Sequence, residues 1–326
     1  MRIGEINKLL NITGKESAIF MPNEIFSDLQ GYITKSTEVA YAYSYTYLCH
    51  YLYRSCKYFN TEKLINGNVI KEILGYSETN RTMNYITKKG GLLEEIGYLE
   101  STKEYPMTWE YKNATTNGGG EGLSFYMSSN EDKQFLPPMS KRFFLKRPVK
   151  AFERVILTQK EDGSFIEDER EGTFYDVANT HTVDFKVFMY CMANEKLGVV
   201  AFYLYSWLKH KNDIFSKGYD VPIDKLASET GLTRRTLLNY MDLLKGYRMI
   251  TFKFNQENYV VGMFAKDRKA TTYYTEDYFD FLSKPEPFKK MKVMPRGEYL
   301  EIKKKERDEE HTKKPRIVIE ESDLPF

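Results

Sequence analysis

Two stretches of this chain follow one plan, and any fold must house both. The first opens with an aromatic run, Thr37 to Phe59, in which Tyr41, Tyr45, Leu48 and Leu52 recur at the spacing of a buried helical face. After Asn66-Gly67 the pattern predicts a short helix over Asn68–Leu74, a turn at Gly75-Tyr76-Ser77 and a third helix from about Glu78 to Lys88. Gly90-Gly91 ends it, and Leu92–Glu100 with Met107–Lys112 read as a hairpin. The second stretch runs from an aromatic helix, Leu197–Lys209, through a short strand at Val221-Pro222 to a helix over Asp224–Thr230. There Gly231-Leu232 makes the turn, and Thr233 caps a helix reaching about Gly246. Arg248–Phe254 and Tyr259–Phe264 then read as a hairpin. The third helices even share letters, Arg81-Thr82-Met83-Asn84-Tyr85 against Arg235-Thr236-Leu237-Leu238-Asn239-Tyr240.

Helix, helix, turn, helix, hairpin is the order of a winged helix. The run Leu226-Ala227-x-x-Thr230-Gly231-Leu232-Thr233-x-x-Thr236-Leu237-x-x-Tyr240-x-x-x-Leu244 resembles a helix-turn-helix of that class. The resemblance implies an α+β, mostly helical chain with two winged-helix domains in tandem and a disordered C-terminal tail. The expected divisions are an N-terminal arm (1–36), a first winged helix (37–125), a basic hairpin or linker region (126–185), a second winged helix (186–284) and the tail (285–326).

In a helix-turn-helix the second helix enters the major groove of double-stranded DNA with its first turns at the base edges. Here that nominates Thr233, Arg234, Arg235, Thr236 and Asn239, because arginine can bond guanine in bidentate fashion and asparagine can do the same to adenine. Lys225, Lys245, Arg248 and Lys253 are expected at the phosphates. In the first unit Arg81, Asn84 and Lys88 hold the corresponding places, but Glu78, Glu94 and Glu95 flank them, so that unit either meets a second half-site or makes a homodimer.

The whole chain of 326 residues has a net charge of only +2, so the local distribution matters more. Between Tyr126 and Lys160 eight Lys/Arg face three acids. Lys141, Arg142, Lys146, Arg147 and Lys150 suit a phosphate-gripping arm. The alternative is a hairpin edge protected by lysines. Most of the 26 tyrosines and 21 phenylalanines are expected in the core. Three cysteines without metal spacing (Cys49, Cys56, Cys191) read as buried thiols in a reducing cytoplasm. No apolar run is long enough to span a membrane. No Walker-A loop follows Asn117-Gly118-Gly119-Gly120, and no catalytic set, metal site or cofactor motif emerges, so an enzyme is not expected.

The sequence closes on Glu320-Glu321-Ser322-Asp323-Leu324-Pro325-Phe326, after a charged stretch, Lys303–Arg316, that reads as a disordered linker giving a mean reach of roughly 20 Å. An acidic run ending in Asp-Leu-Pro-Phe resembles the C-terminal tip of bacterial single-stranded-DNA-binding proteins. In that family the tip docks its phenylalanine and carboxylate into replication and repair proteins. The resemblance makes Glu320, Glu321, Asp323, Leu324, Pro325 and Phe326 partner-docking residues and host proteins that bind such tips the partners. Tandem winged helices in a chain of this size resemble plasmid and phage replication initiators. The resulting expectation is a sequence-specific DNA-binding initiator or replisome organiser, acting at origin or operator repeats. Two alternatives stay open: a winged-helix transcriptional repressor, and a decoy that captures host repair proteins.

Overall fold

The computed structural model describes residues 3–13, 18–59, 64–112, 122–141, 143–175, 177–263 and 268–313. The fold is α+β. Its chain order begins α1 (Ile3–Leu10), β1 (Ala18–Pro22), α2 (Ile25–Tyr32), α3 (Ser36–Arg54), α4 (Gly67–Ile73), α5 (Asn84–Thr87) and α6 (Leu92–Glu95). Then follow β2 (Leu99–Thr102), β3 (Pro106–Lys112), β4 (Gly122–Met127), β5 (Leu145–Pro148), β6 (Glu153–Gln159), β7 (Phe165–Glu171), β8 (Thr180–Asp184) and α7 (Phe185–Met192). The chain continues with α8 (Gly198–Ile214), β9 (Tyr219–Val221), α9 (Ile223–Thr230), α10 (Arg234–Gly246), β10 (Ile250–Lys253), β11 (Asn258–Val260), β12 (Thr271–Thr275), β13 (Lys292–Met294) and α11 (Arg296–Lys313).

The two aromatic runs become α3 and α8, which pack against each other. Both are apolar or aromatic on nearly every side, so each must be covered all round. A buried tyrosine usually places its hydroxyl on a partner. Tyr47 donates to the Val183 carbonyl at 2.8 Å, Tyr203 donates to the Thr230 carbonyl at 2.9 Å, and Tyr43 meets His181 Nε2 at 2.7 Å. Ring contacts bind the same layer together, with Tyr51 stacked on Phe185 and Tyr47 edge-on to Phe202. Most of the tyrosines are thus core, as their number suggested. Residues of α1, β1 and α2 (Ile6, Leu10, Met21, Ile25, Leu29) join the same continuous core as the second stretch. β1 pairs antiparallel with β8, which ties the first 36 residues to the start of α7.

The second stretch folds in the predicted order. β12 lies between β10 and β9, all antiparallel, with Ile250 opposite Thr275 and Thr271 opposite Val221. The expected hairpin partner of β10 is therefore corrected. It is not the strand at Tyr259, whose β11 pairs in parallel with β13, but Thr271–Thr275 further along.

The first stretch departs further. The helix expected over Glu78–Lys88 shrinks to the single turn α5, because side chains there bond nearby backbone instead. Asn80 Oδ1 accepts from Thr82 N–H at 2.8 Å, and Ser77 Oγ accepts from Thr79 N–H at 3.3 Å. Leu92–Glu95 is helical rather than extended, and β2 pairs with β5 while β3 pairs with β4, so the expected hairpin of Leu92–Glu100 with Met107–Lys112 does not form. Lys303–Lys313, read as linker, lies in α11. Glu, Lys and Arg are good helix formers, and Lys303 pairs with Glu306 one turn on at 2.6 Å. Cys49 and Cys191 are buried, whereas Cys56 is half-buried; all three are free. Among the described residues no helix is long and apolar enough to cross a membrane.

Candidate nucleic-acid interface

The turn between α9 and α10 is built by Gly231, whose φ of 66° is the left-handed conformation that ends α9. Thr233 then caps α10, its Oγ1 accepting from Thr236 N–H at 3.3 Å and donating to Thr236 Oγ1 at 2.9 Å. Leu237, Met241 and Leu244 recur along one side of α10 and are fully buried, so the helix is seated on α8 and α9 by that side. The opposite side, Arg234, Arg235, Leu238, Asn239 and Asp242, is exposed.

The residues nominated as base readers are not equivalent. Arg235 and Asn239 are exposed on the open side of α10, and Arg235 forms no ion pair among the described residues. Arg234 is bound to Asp224 at the start of α9. The hydroxyls of Thr233 and Thr236 are committed to the cap. Of the phosphate candidates, Lys253 is exposed at the end of β10; Lys225 lies 3.7 Å from Glu229, and Arg248 lies 3.7 Å from Glu286, both in exposed pairs that solvent weakens. Lys245 is placed differently from the others: its side chain is only 12 % exposed and sits over the rings of Phe252 and Phe288, 3.7 Å from Asp242. Burial lowers its pKa and Asp242 opposes that shift, so this ammonium fastens α10 to the sheet instead of facing outward.

The basic cluster is redistributed too. Lys146, expected on a phosphate-gripping arm, is 3 % exposed and donates to Glu94 Oε1 at 2.5 Å, Ser101 Oγ at 3.1 Å and the Lys88 carbonyl at 3.2 Å. Burial pushes the Glu94 carboxyl up, but the bonds from Lys146, Ser101 and the Gly90 N–H more than offset this and leave it below its usual range. Arg147 is bonded to Glu100 at 2.7 Å across the β2–β5 pair, and Lys150 reaches Asp28 at 3.3 Å. Each of these three cations thus has an acid beside it. Lys141 is exposed. In the first unit Arg81 and Lys88 are exposed, while Asn84 is held by Lys71. No single helix carries all three, since α5 begins only at Asn84. Arg142, the glycine run at Asn117–Gly120 and the docking residues Glu320, Glu321, Asp323, Leu324, Pro325 and Phe326 lie outside the described residues.

Sequence reasoning missed the residues that hold the turn from outside. Ser36, the first residue of α3, donates its hydroxyl to the Gly231 carbonyl at 3.2 Å and accepts from Thr233 N–H at 2.8 Å. Gln30 Nε2 donates to the Glu229 carbonyl at 2.6 Å, and a Cβ at position 231 would stand 2.9 Å from the Gln30 side chain. These partners are almost 200 residues apart in the chain, so no linear pattern announces them. Among the described residues no His/Cys/Asp/Glu group is arranged to hold a metal. No family model, no curated protein and no solved structure matches this chain.

Proposed function

We propose that residues 198–275 are a winged-helix unit that binds double-stranded DNA with α10 in the major groove. The observation that carries this reading is the two-sided nature of α10: one side is sealed against α8 and α9, and the other presents Arg235 and Asn239 immediately after a capped N-terminus. The three-stranded sheet β9–β12–β10, with β9 before α9 and with β10 and β12 after α10, supports it. In this reading Arg235 contacts guanine and Asn239 adenine. Lys253, Arg248 and Lys225 position the unit on phosphates. Arg234 joins only after leaving Asp224, so it adds less than Arg235.

The test is selection of a preferred duplex from a random library, followed by fluorescence anisotropy at fixed salt. Arg235→Ala is expected to cost about 1–3 kcal/mol on the selected site and much less on random duplex. An equal loss on both would remove the base-reading role.

The wider assignment, a replication initiator that recruits host replication proteins through Asp323–Phe326, is supported by the sequence motif alone. Removing those four residues is expected to leave duplex affinity unchanged while abolishing origin-dependent replication. A chain that still supports replication after that truncation is not using the motif for recruitment.

A further inference from the structure

Beside α4 lies a cleft of about 360 Å³, within the size range of small-molecule pockets. Its polar side carries two buried lysines with opposite circumstances. Lys146 uses all three of its N–H groups and has Glu94 as counter-charge. Lys71, 7 % exposed, donates to the Asn80 carbonyl at 2.9 Å and to Asn84 Oδ1 at 2.6 Å, both neutral, and forms no ion pair among the described residues. Burial lowers its pKa. A buried ammonium without a counter-charge is costly, and one of its three N–H groups has no partner among the described residues. An anion in the cleft answers both. Lys88, exposed at the rim, adds a second positive charge.

The apolar part of the lining combines four aromatic residues with Ile65, Ile70 and Leu145. Tyr45 and Tyr58 are buried there, and Phe143 and Phe144 are half-buried. Flat apolar walls facing a cationic end suit a ligand with a ring at one end and a phosphate at the other. Asn68, exposed and also lining the cleft, offers an amide to the edge of a heterocycle. We propose that this cleft binds a nucleoside phosphate, with its phosphate at Lys71 and Lys88 and its base against Phe143 and Phe144. The site is separate from the duplex-binding reading of α10 and does not depend on it.

Isothermal titration calorimetry of the full chain with AMP, GMP, ATP and GTP tests this, alongside adenosine, guanosine and inorganic phosphate. At least one nucleotide is expected to bind about tenfold or more tightly than its nucleoside, because the charge-assisted bonds go to the phosphate. Lys71→Met is expected to weaken the nucleotide by a similar factor. Lys88→Glu, on an exposed side chain that leaves folding intact by circular dichroism, is expected to weaken it as well, which keeps the test alive should Lys71→Met fail to fold. Phe144→Ala is expected to weaken the nucleotide and leave inorganic phosphate unaffected. The proposal is overturned if no nucleotide binds at millimolar concentration, or if nucleoside and nucleotide bind alike. It is equally overturned if phosphate alone binds as tightly as any nucleotide. A 5′-phosphorylated oligonucleotide that outcompetes every mononucleotide would assign the cleft to a nucleic-acid end and overturn it too.

Discussion

Replacing Ser36 by alanine removes one oxygen and strands two backbone groups. Its hydroxyl donates to the Gly231 carbonyl at 3.2 Å and accepts from Thr233 N–H at 2.8 Å, and Ser36 is 7 % exposed. A buried polar group left without its partner costs about 1–3 kcal/mol. Two groups are affected, but Thr233 lies at the surface and its N–H can be partly rehydrated. The expected loss is therefore about 1–3 kcal/mol in total. For a chain of this length that corresponds to a fall in Tm of about 2 °C per kcal/mol. Urea and thermal unfolding of the Ser36→Ala and Ser36→Thr variants measure it, since threonine keeps the hydroxyl. The same change is expected to weaken duplex binding although Ser36 lies off the exposed side of α10, because the capped turn sets the angle of that helix. Unchanged midpoints in Ser36→Ala would refute the reasoning, for they would mean that the turn holds itself without α3.

Two further outcomes follow from buried groups. Burial pushes the His50 and His210 pKa values down to about 4 and also lowers that of His181, so all three are neutral in the fold. Their folded pKa values lie below the unfolded value of 6.5, so the stability they contribute is complete above that pH. It is lost as pH falls from there towards 4, at up to about 1.4 kcal/mol per pH unit for each histidine. Denaturation midpoints at pH 7.5 and pH 5 are expected to differ accordingly, and equal midpoints would contradict neutral burial. Gly172→Ala would set a Cβ against the Ala151 carbonyl carbon and Phe152 N, both backbone atoms that cannot swing aside. An overpacking loss of at least about 1–3 kcal/mol is expected in the same unfolding assay.

The second stretch was legible because its signals are local. A glycine at the turn, a threonine cap and apolar residues at Leu226, Leu237 and Leu244 all act within a few residues, and each is found in its expected place. The first stretch shares letters with it but not the cap. Asn80 and Ser77 spend their side chains on neighbouring N–H groups, which stops a helix before it can propagate. Strand partners were hidden for another reason. A hairpin rule chooses the nearest extended run, whereas β10 pairs with Thr271–Thr275 and β2 with Leu145–Pro148, choices made by the core rather than by the turn. Charge clusters mislead in the same way. Counting Lys146, Arg147 and Lys150 along the chain cannot reveal that Glu94, Glu100 and Asp28 arrive from elsewhere to neutralise them. The Lys71 cleft left no mark in the sequence, since its character comes from a buried lysine with no ion pair among the described residues.

The helix α11 changes the mechanics of the chain's last portion. Its 18 residues leave the β13 strand, which is itself hydrogen-bonded to β11 next to the three-stranded sheet. At 1.5 Å per residue such a rod is about 27 Å long. It acts as a brace: Tyr299, Ile302, Lys303 and Glu306 share a cleft with Asn255, Gln256, Glu257 and Val260, so its first three turns run beside the segment that carries β11. A coil of the same length would hold no fixed line along that segment. Adding or removing one residue of α11 would turn whatever follows Lys313 by about 100° around the helix axis, so the helix sets a direction as well as a distance.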